Sequence, residues 1–194
     1  MKLSSLLIYM AVSSVTPGPN NLMSMYLGIH HGLRGSTKFL AGSALTLLLK
    51  ALICGGLNVL LAKWLPAASV YLKWLGAAYM LYLAFCMAKS GFQKDAGQKK
   101  QGENTFMAGV LLQCLNMKSW LSALSMFSVY VMPFTTGGSA VAGVSLAYCL
   151  MILLSSVIWC LFGQSIRRLY EKWRLPISLL MAASLVFCAW TAIR

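Results

Sequence analysis

Six apolar runs occupy most of this chain: residues 3–25, 39–61, 67–87, 106–132, 140–161 and 176–193. About 20 apolar residues carry a helix across the ~30 Å hydrocarbon core of a bilayer, and each run is of that order. The runs are continuous, whereas barrel strands alternate polar and apolar residues over roughly 10 positions. The expected fold class is therefore all-α membrane, with six transmembrane helices. Composition agrees, with 59% hydrophobic and 10% charged residues against the ~25% charge of an ordinary soluble domain. So few charges cannot cover a water-soluble globule. The short connections leave no space for a soluble domain, and any site has to be built inside the bundle. Lys2 and the apolar stretch after it look like the opening of a signal peptide. No small-x-small cleavage motif follows, and the chain runs on into Thr16-Pro17-Gly18-Pro19, so the first run is expected to be a retained helix.

The formal net charge of +13 raises nucleic acid as a partner, but the placement of the charges argues for a membrane. If the connections alternate between two sides, one side carries Arg34, Lys38, Lys89, Lys94, Lys99, Lys100, Arg167, Arg168, Lys172 and Arg174, and the other carries Lys2, Lys63 and Arg194. Basic residues mark the cytoplasmic side. This puts the ten in the cytoplasm and both termini outside, and it makes the cytoplasmic (inner) membrane the expected location. The six cysteines, Cys54, Cys86, Cys114, Cys149, Cys160 and Cys188, form no C-x-x-C and have no histidine at metal-ligand spacing. They are expected as small packing residues. No metal, cofactor or catalytic residue is expected, and no membrane enzyme is indicated, because no carboxylate pair, ligand set or Ser/His/Asp arrangement lies in the runs.

The polar stretch 89–105 divides the chain into a first repeat, residues 1–88, and a second, residues 106–194, of three helices each. Three is odd, so the halves must be inverted relative to each other. Inverted three-helix repeats are a recurring transporter plan, with the site at interrupted helices near the midplane. Both interruptions are present. In the first helix, Thr16-Pro17-Gly18-Pro19-Asn20-Asn21 cannot be regular helix, because two prolines remove amide donors and clash with the preceding turn. In the fourth, Leu115-Asn116-Met117-Lys118-Ser119 places polar residues inside a run of 27. In hydrocarbon such breaks are tolerated only where protein or a wet cavity satisfies the backbone.

At these residues the chain resembles the LysE/RhtB family of amino-acid exporters. The likeness begins at TPGPNN and passes through His31-Gly32-Leu33-Arg34-Gly35-Ser36-Thr37 and Leu40-Ala41-Gly42. It continues at Leu75-Gly76-Ala77-Ala78-Tyr79 and Gln113-Cys114-Leu115-Asn116-Met117-Lys118. Within the family it is similar to the branch that exports cysteine and O-acetylserine. The resemblance implies export of small amino acids by alternating access. Two positions depart from the family pattern: Asn116-Met117-Lys118 stands where Asn-Pro-Lys is usual, and Asn20 where many relatives carry aspartate. No acidic residue lies in any apolar run, since Asp95, Glu103 and Glu171 are all in connections. Intramembrane carboxylates often carry proton coupling, so the coupling ion is left open.

The expected substrate site is Thr16, Pro17, Gly18, Pro19, Asn20, Asn21, Asn116, Lys118 and Lys50. Half-helix amino ends hold a carboxylate, while freed carbonyls and the asparagine amides accept from an ammonium. Lys118 pairs either with the carboxylate or with breakpoint carbonyls, or else it and Asn116 only cap the broken helix. Lys50 is twelfth in the run 39–61, where a lone charge costs at least ~2.5–3.5 kcal/mol. It is expected to face a wet cavity or to titrate to neutral. Lys73 is expected to snorkel. His30 and His31 are read as loop residues, with a proton relay as the alternative. Ala41-Gly42-Ser43-Ala44, Gly55-Gly56 and Gly76-Ala77-Ala78 suit close helix packing. Trp64, Tyr71, Trp74, Trp159, Tyr170, Trp173 and Trp190 suit an aromatic belt. The expected partners are a small amino acid and the lipid bilayer. Self-association is left open. Two rivals stand beside the exporter: a membrane thiol–disulfide electron carrier, which would need a cysteine at each break, and a non-transporting scaffold.

Overall fold

A computed structural model describes residues 3–92, 105–135 and 137–193. Most of the polar stretch 89–105, with Lys94, Asp95, Lys99, Lys100 and Glu103, lies outside these residues, as do Lys2 and Arg194. The described residues form helices joined by very short connections, with no strand among them. In chain order they are α1 (Leu3–Val15), α2 (Pro19–Gly56), α3 (Asn58–Phe92), α4 (Thr105–Leu115), α5 (Met117–Ser125), α6 (Gly138–Ser165), α7 (Arg167–Lys172) and α8 (Arg174–Ile193), with a π-helical turn (Met126–Val131) prolonging α5. Four stretches are long and apolar enough to cross a membrane: Pro19–Gly56, Val70–Phe92, Gly138–Ser165 and Arg174–Ile193. Leu3–Val15 and Phe106–Leu115 are shorter apolar helices. Each of these two stops at one of the two breaks and is followed at once by another helix.

The breaks fall where the sequence placed them. The first covers Thr16, Pro17 and Gly18, after which Pro19 opens α2 at the position where a missing amide costs nothing. The second is a single residue, Asn116 (φ −76°, ψ 95°). It is the gentler of the two because no proline disrupts the neighbouring turns.

Three connections differ from expectation. The segment read as the first loop, residues 31–37, is helical apart from Gly32 (φ 65°, ψ 178°). That one residue folds α2 back on itself. The Ser43 hydroxyl donates to the Asn20 side-chain oxygen at 2.8 Å across 23 residues of sequence, which a straight helix would hold roughly 35 Å apart at 1.5 Å per residue. A glycine with positive φ is enough to reverse the chain, so the polar residues around it have no need to leave the helix. The second connection was expected near 62–66; instead the helix is interrupted at Leu57 (φ −114°, ψ 29°), and Lys63 lies on α3. The third, expected to begin at residue 89, is helical to Phe92, with Ser90 and Gly91 buried.

Glycine-mediated backbone contact holds the core together. α6 packs chiefly on α2, α8 on α3, and α4 on α2. A Cβ on Gly28 would run into the Cys160 carbonyl, and one on Gly163 into the Met25 carbonyl, so α2 and α6 touch backbone to backbone at reciprocal positions. Gly42 meets the Phe106 carbonyl, Gly109 the Phe39 carbonyl, and Gly76 the Leu115 carbonyl in the same way. This is how small residues let membrane helices approach. Cys54, Cys149 and Cys160 are buried, the last in the contact with Gly28, Cys86 and Cys188 are half-buried, and Cys114 is exposed. Trp64, Tyr71, Trp74, Trp173 and Trp190 point outward. Tyr170 does not fit the belt: it is buried against His30 and hydrogen-bonded to Ser178 at 2.8 Å. Trp159 is half-buried and packs against the same core.

The helix contacts set an expectation. Gly28→Val should lower the unfolding free energy in detergent by about 1–3 kcal/mol, the usual cost of overpacking. Gly143→Ala, at a helical position with open space around it, should be neutral or gain up to ~1 kcal/mol from helix propensity. Thermal unfolding of the purified variants measures both.

Candidate functional site

The first break leaves the last carbonyls of α1 without intrahelical donors, and the surrounding side chains supply them. The Asn21 amide nitrogen donates to the Ser14 carbonyl at 2.9 Å and to the Thr16 carbonyl at 3.2 Å. The Ser155 hydroxyl of α6 donates to the Ser14 carbonyl at 2.8 Å. Lys118, from the second break, reaches across and donates to the Thr16 carbonyl at 3.2 Å. Asn20 ties the opening turn of α2 to its surroundings. Its nitrogen donates to Ser156 of α6 at 2.8 Å, and its oxygen accepts from Ser43 in the returning arm of α2. Asn21 is therefore buried because the backbone beside it needs donors, whereas Asn20 is buried as a side-chain bridge between Ser43 and Ser156.

The second break is held from the other side. Lys50 is 2% exposed. Its ammonium donates to the Gln113 carbonyl, in the last turn of α4, and to the Ser119 hydroxyl, in the first turn of α5, the latter at 2.6 Å. It also sits 4.7 Å from the centre of the Trp120 ring, a favourable seat for a cation. Ser119 in turn donates to the Asn116 carbonyl at 2.8 Å, and the Asn116 amide lies 3.4 Å from the Gln113 side-chain oxygen. One lysine thus bridges the two half-helices on either side of Asn116.

The two breaks face one another across a small polar cavity of about 40 Å³, lined in part by Ser14, Thr16, Gly18, Asn20, Asn21, Gln113, Asn116, Lys118 and Ser119. The amino ends of α2 and α5 both open onto it. Tyr148 and Ser13 also line it and share a hydrogen bond at 3.2 Å. A larger cavity of about 850 Å³ adjoins it, sharing Thr16, Gly18, Asn116, Lys118 and Ser122 and adding Pro17 and Pro19. Its walls are mostly apolar, among them Leu22, Met80, Leu121 and Phe187. Lys73, expected to snorkel, lines this larger space, as does Cys188.

Eight of the nine sequence-derived site residues therefore line one cavity or the other. Lys50 does not, and it touches the site through Gln113 and Ser119. The histidines lie elsewhere. They occupy the last helical turn before Gly32 and not a loop, with the His30 ring packed between Tyr26 and Tyr170 at centroid distances of 4.2 and 5.1 Å. Cys114 is next to the second break, and its carbonyl accepts from the Trp120 indole at 2.9 Å.

Several lining residues were not singled out as site residues from sequence. Gln113, Ser119 and Ser122 carried a usable signal: with Asn116 they recur every third position in a largely apolar run, so each is a helix-surface neighbour of the next. Ser13, Ser14 and Tyr148 carried none, because isolated serines and tyrosines in apolar helices are common packing residues.

The family relationship agrees with this arrangement. The LysE type translocator family matches residues 11–193. The cysteine/O-acetylserine efflux proteins of Escherichia coli (strain K12), Shigella sonnei (strain Ss046) and Shigella flexneri are each 36% identical to this chain over 187 residues, covering 96% of it and 95% of the relative. No solved structure matches the chain. The likeness takes in both helix breaks and every residue lining the two cavities, so the chain belongs to the LysE type translocator family, a multi-pass membrane transporter and not an enzyme.

Proposed function

We propose that this protein exports small neutral amino acids, cysteine and O-acetylserine foremost, across the cytoplasmic membrane by alternating access. The observation that carries the reading is the convergence of the two helix breaks on one polar cavity, with Lys118 of one bonded to the Thr16 carbonyl of the other. The first amides of α2, at Asn20 and Asn21, and of α5, at Met117 and Lys118, precede the first intrahelical bonds, made by Leu22 and Ser119. Such amino ends, with Lys118 between them, suit a carboxylate. Carbonyl and amide oxygens of Thr16, Asn20, Asn21, Gln113 and Asn116 suit an ammonium. A water needs about 10–15 Å³ of such space. The small cavity thus takes the polar head of an amino acid, and a short side chain extends into the larger one beside it. The relatives' cysteine and O-acetylserine have this shape.

The same reading has six crossings in two inverted repeats. The reversal of α2 at Gly32 and the splitting of the first and fourth apolar runs support it. So does the concentration of basic residues on one set of connections, which favours both termini outside. A periplasm-dependent reporter fused after Arg194 should be active and a cytoplasm-dependent one silent. The opposite pattern would overturn this topology.

Cells overproducing the protein should release one or more of cysteine, O-acetylserine, threonine, homoserine and leucine faster than controls. A Pro17→Ala/Pro19→Ala variant inserted at equal level should lose the effect, because the helix could close over its own carbonyls and the cavity would disappear. Unchanged efflux of all five from cells with correctly inserted protein would count against export. Lys118→Met should raise the KM of the exported amino acid at least tenfold, a loss of about 1.4 kcal/mol, while purified protein stays monodisperse. An unaltered KM would reduce Lys118 to a cap.

A further inference from the structure

Lys50 remains unexplained by the site as described. It is the most deeply buried cation among the described residues, and no carboxylate among those residues pairs with it. The chain holds three acidic residues, Asp95, Glu103 and Glu171, none of them in an apolar run. Glu171 is exposed and paired with Arg167. The titratable groups around Lys50 are thiols and phenols. They are Cys54, one turn along its own helix, Cys114 of α4, and Tyr9 of α1 and Tyr148 of α6 in the cluster packed around Leu47 and Ala51. Lys118 of α5 is the other cation at the cavity. A translocator that works against a concentration gradient needs a coupling group, and here the usual carboxylate is missing from the apolar runs.

The partners of Lys50 point to what it does. Its ammonium holds a carbonyl freed by the helix break, a serine hydroxyl and an aromatic face, an arrangement that would suit any small cation. Gln113 and Ser119 also line the cavity. Lys50 therefore holds acceptors on two residues of the cavity wall, where a substrate ammonium would compete for them. Two ammonium groups sharing those acceptors in a water-poor site repel strongly.

We propose that the Lys50 ammonium is a tethered stand-in for the ammonium of the substrate, and that its proton is the one exchanged in transport. This rests on the exporter reading of the site. In the empty site Lys50 is protonated and holds Gln113 and Ser119. A zwitterionic amino acid arriving from the cytoplasm presents its own ammonium to those acceptors and its carboxylate to Lys118. The Lys50 N–H bond breaks, the proton leaves to the cytoplasmic side, and the neutral amine remains. After the cavity opens outward, a proton from outside returns to the amine. The restored ammonium reclaims Gln113 and Ser119 and displaces the substrate. One amino acid leaves for each proton that enters, with no carboxylate involved.

The test uses the purified full-length protein in detergent, lightly buffered with an indicator dye, and O-acetylserine as the probe. Binding to the unaltered protein should release about one proton per molecule bound. This measurement needs no variant, and binding without proton release would overturn the proposal. Lys50→Arg keeps a charge that cannot be given up. It should release nothing and bind at least tenfold more weakly. Lys50→Met should bind without proton release. In proteoliposomes it should exchange labelled for unlabelled O-acetylserine yet fail to accumulate it on a pH gradient. Gradient-driven accumulation by Lys50→Met would overturn the proposal, and so would loss of exchange by a well-folded Lys50→Met, which would make Lys50 a substrate contact. If the unaltered protein binds no O-acetylserine and exports no amino acid, the exporter reading itself falls, and this inference with it.

Discussion

The break at Thr16–Gly18 leaves carbonyls exposed in a medium that offers no water, and the arrangement of the bundle around it follows from that need. An unsatisfied backbone group in hydrocarbon costs several kcal/mol. Donors must come from other helices, and they do: Asn21 from the helix that follows, Ser155 from α6, and Lys118 from the facing break. Each donor fixes the position of the element that carries it. Asn20, with Ser43 and Ser156 as partners, pins the two arms of α2 and α6 at the same depth. The polar cavity remains where these requirements converge but side chains do not fill the space.

Close packing serves the same end. Polar side chains as short as serine and asparagine bridge two helices only if the backbones nearly touch. Reciprocal glycine contacts between α2 and α6, and between α2 and α4, bring them that near. Removing the space at Gly28 would therefore disturb the hydrogen bonds of Asn20 as well as local packing, because both belong to the α2–α6 contact.

Much of this was legible in the residues. The apolar runs required a helical membrane fold, since no other use of so many consecutive apolar residues satisfies the backbone. Pro17 and Pro19 forbade a continuous first helix, and Asn116-Met117-Lys118 marked the second break. The loop limits were less legible. Residues 31–37 are polar enough for a loop, yet Gly32 alone makes the reversal, because one glycine in a positive-φ conformation suffices. Tyr170 matched the pattern of a belt residue, but it packs inward on His30. An aromatic residue near a helix end has the same local sequence whether it meets lipid or protein.

The sequence by itself determined the membrane class, the positions of both breaks and the absence of acidic residues from the apolar runs. These depend on the identity of single residues or on their nearest neighbours along the chain. The inverted-repeat pattern led to one site at both breaks, about a hundred residues apart, but it took tertiary structure to bring them to one cavity. Tertiary structure also decided that Ser13, Ser14, Gln113, Ser119 and Tyr148 line that cavity, and that Lys50 holds Gln113 and Ser119 of its wall. Which side chains meet across helices is set by crossing geometry and by glycine contacts distributed over the whole bundle, and no local stretch of sequence contains that information.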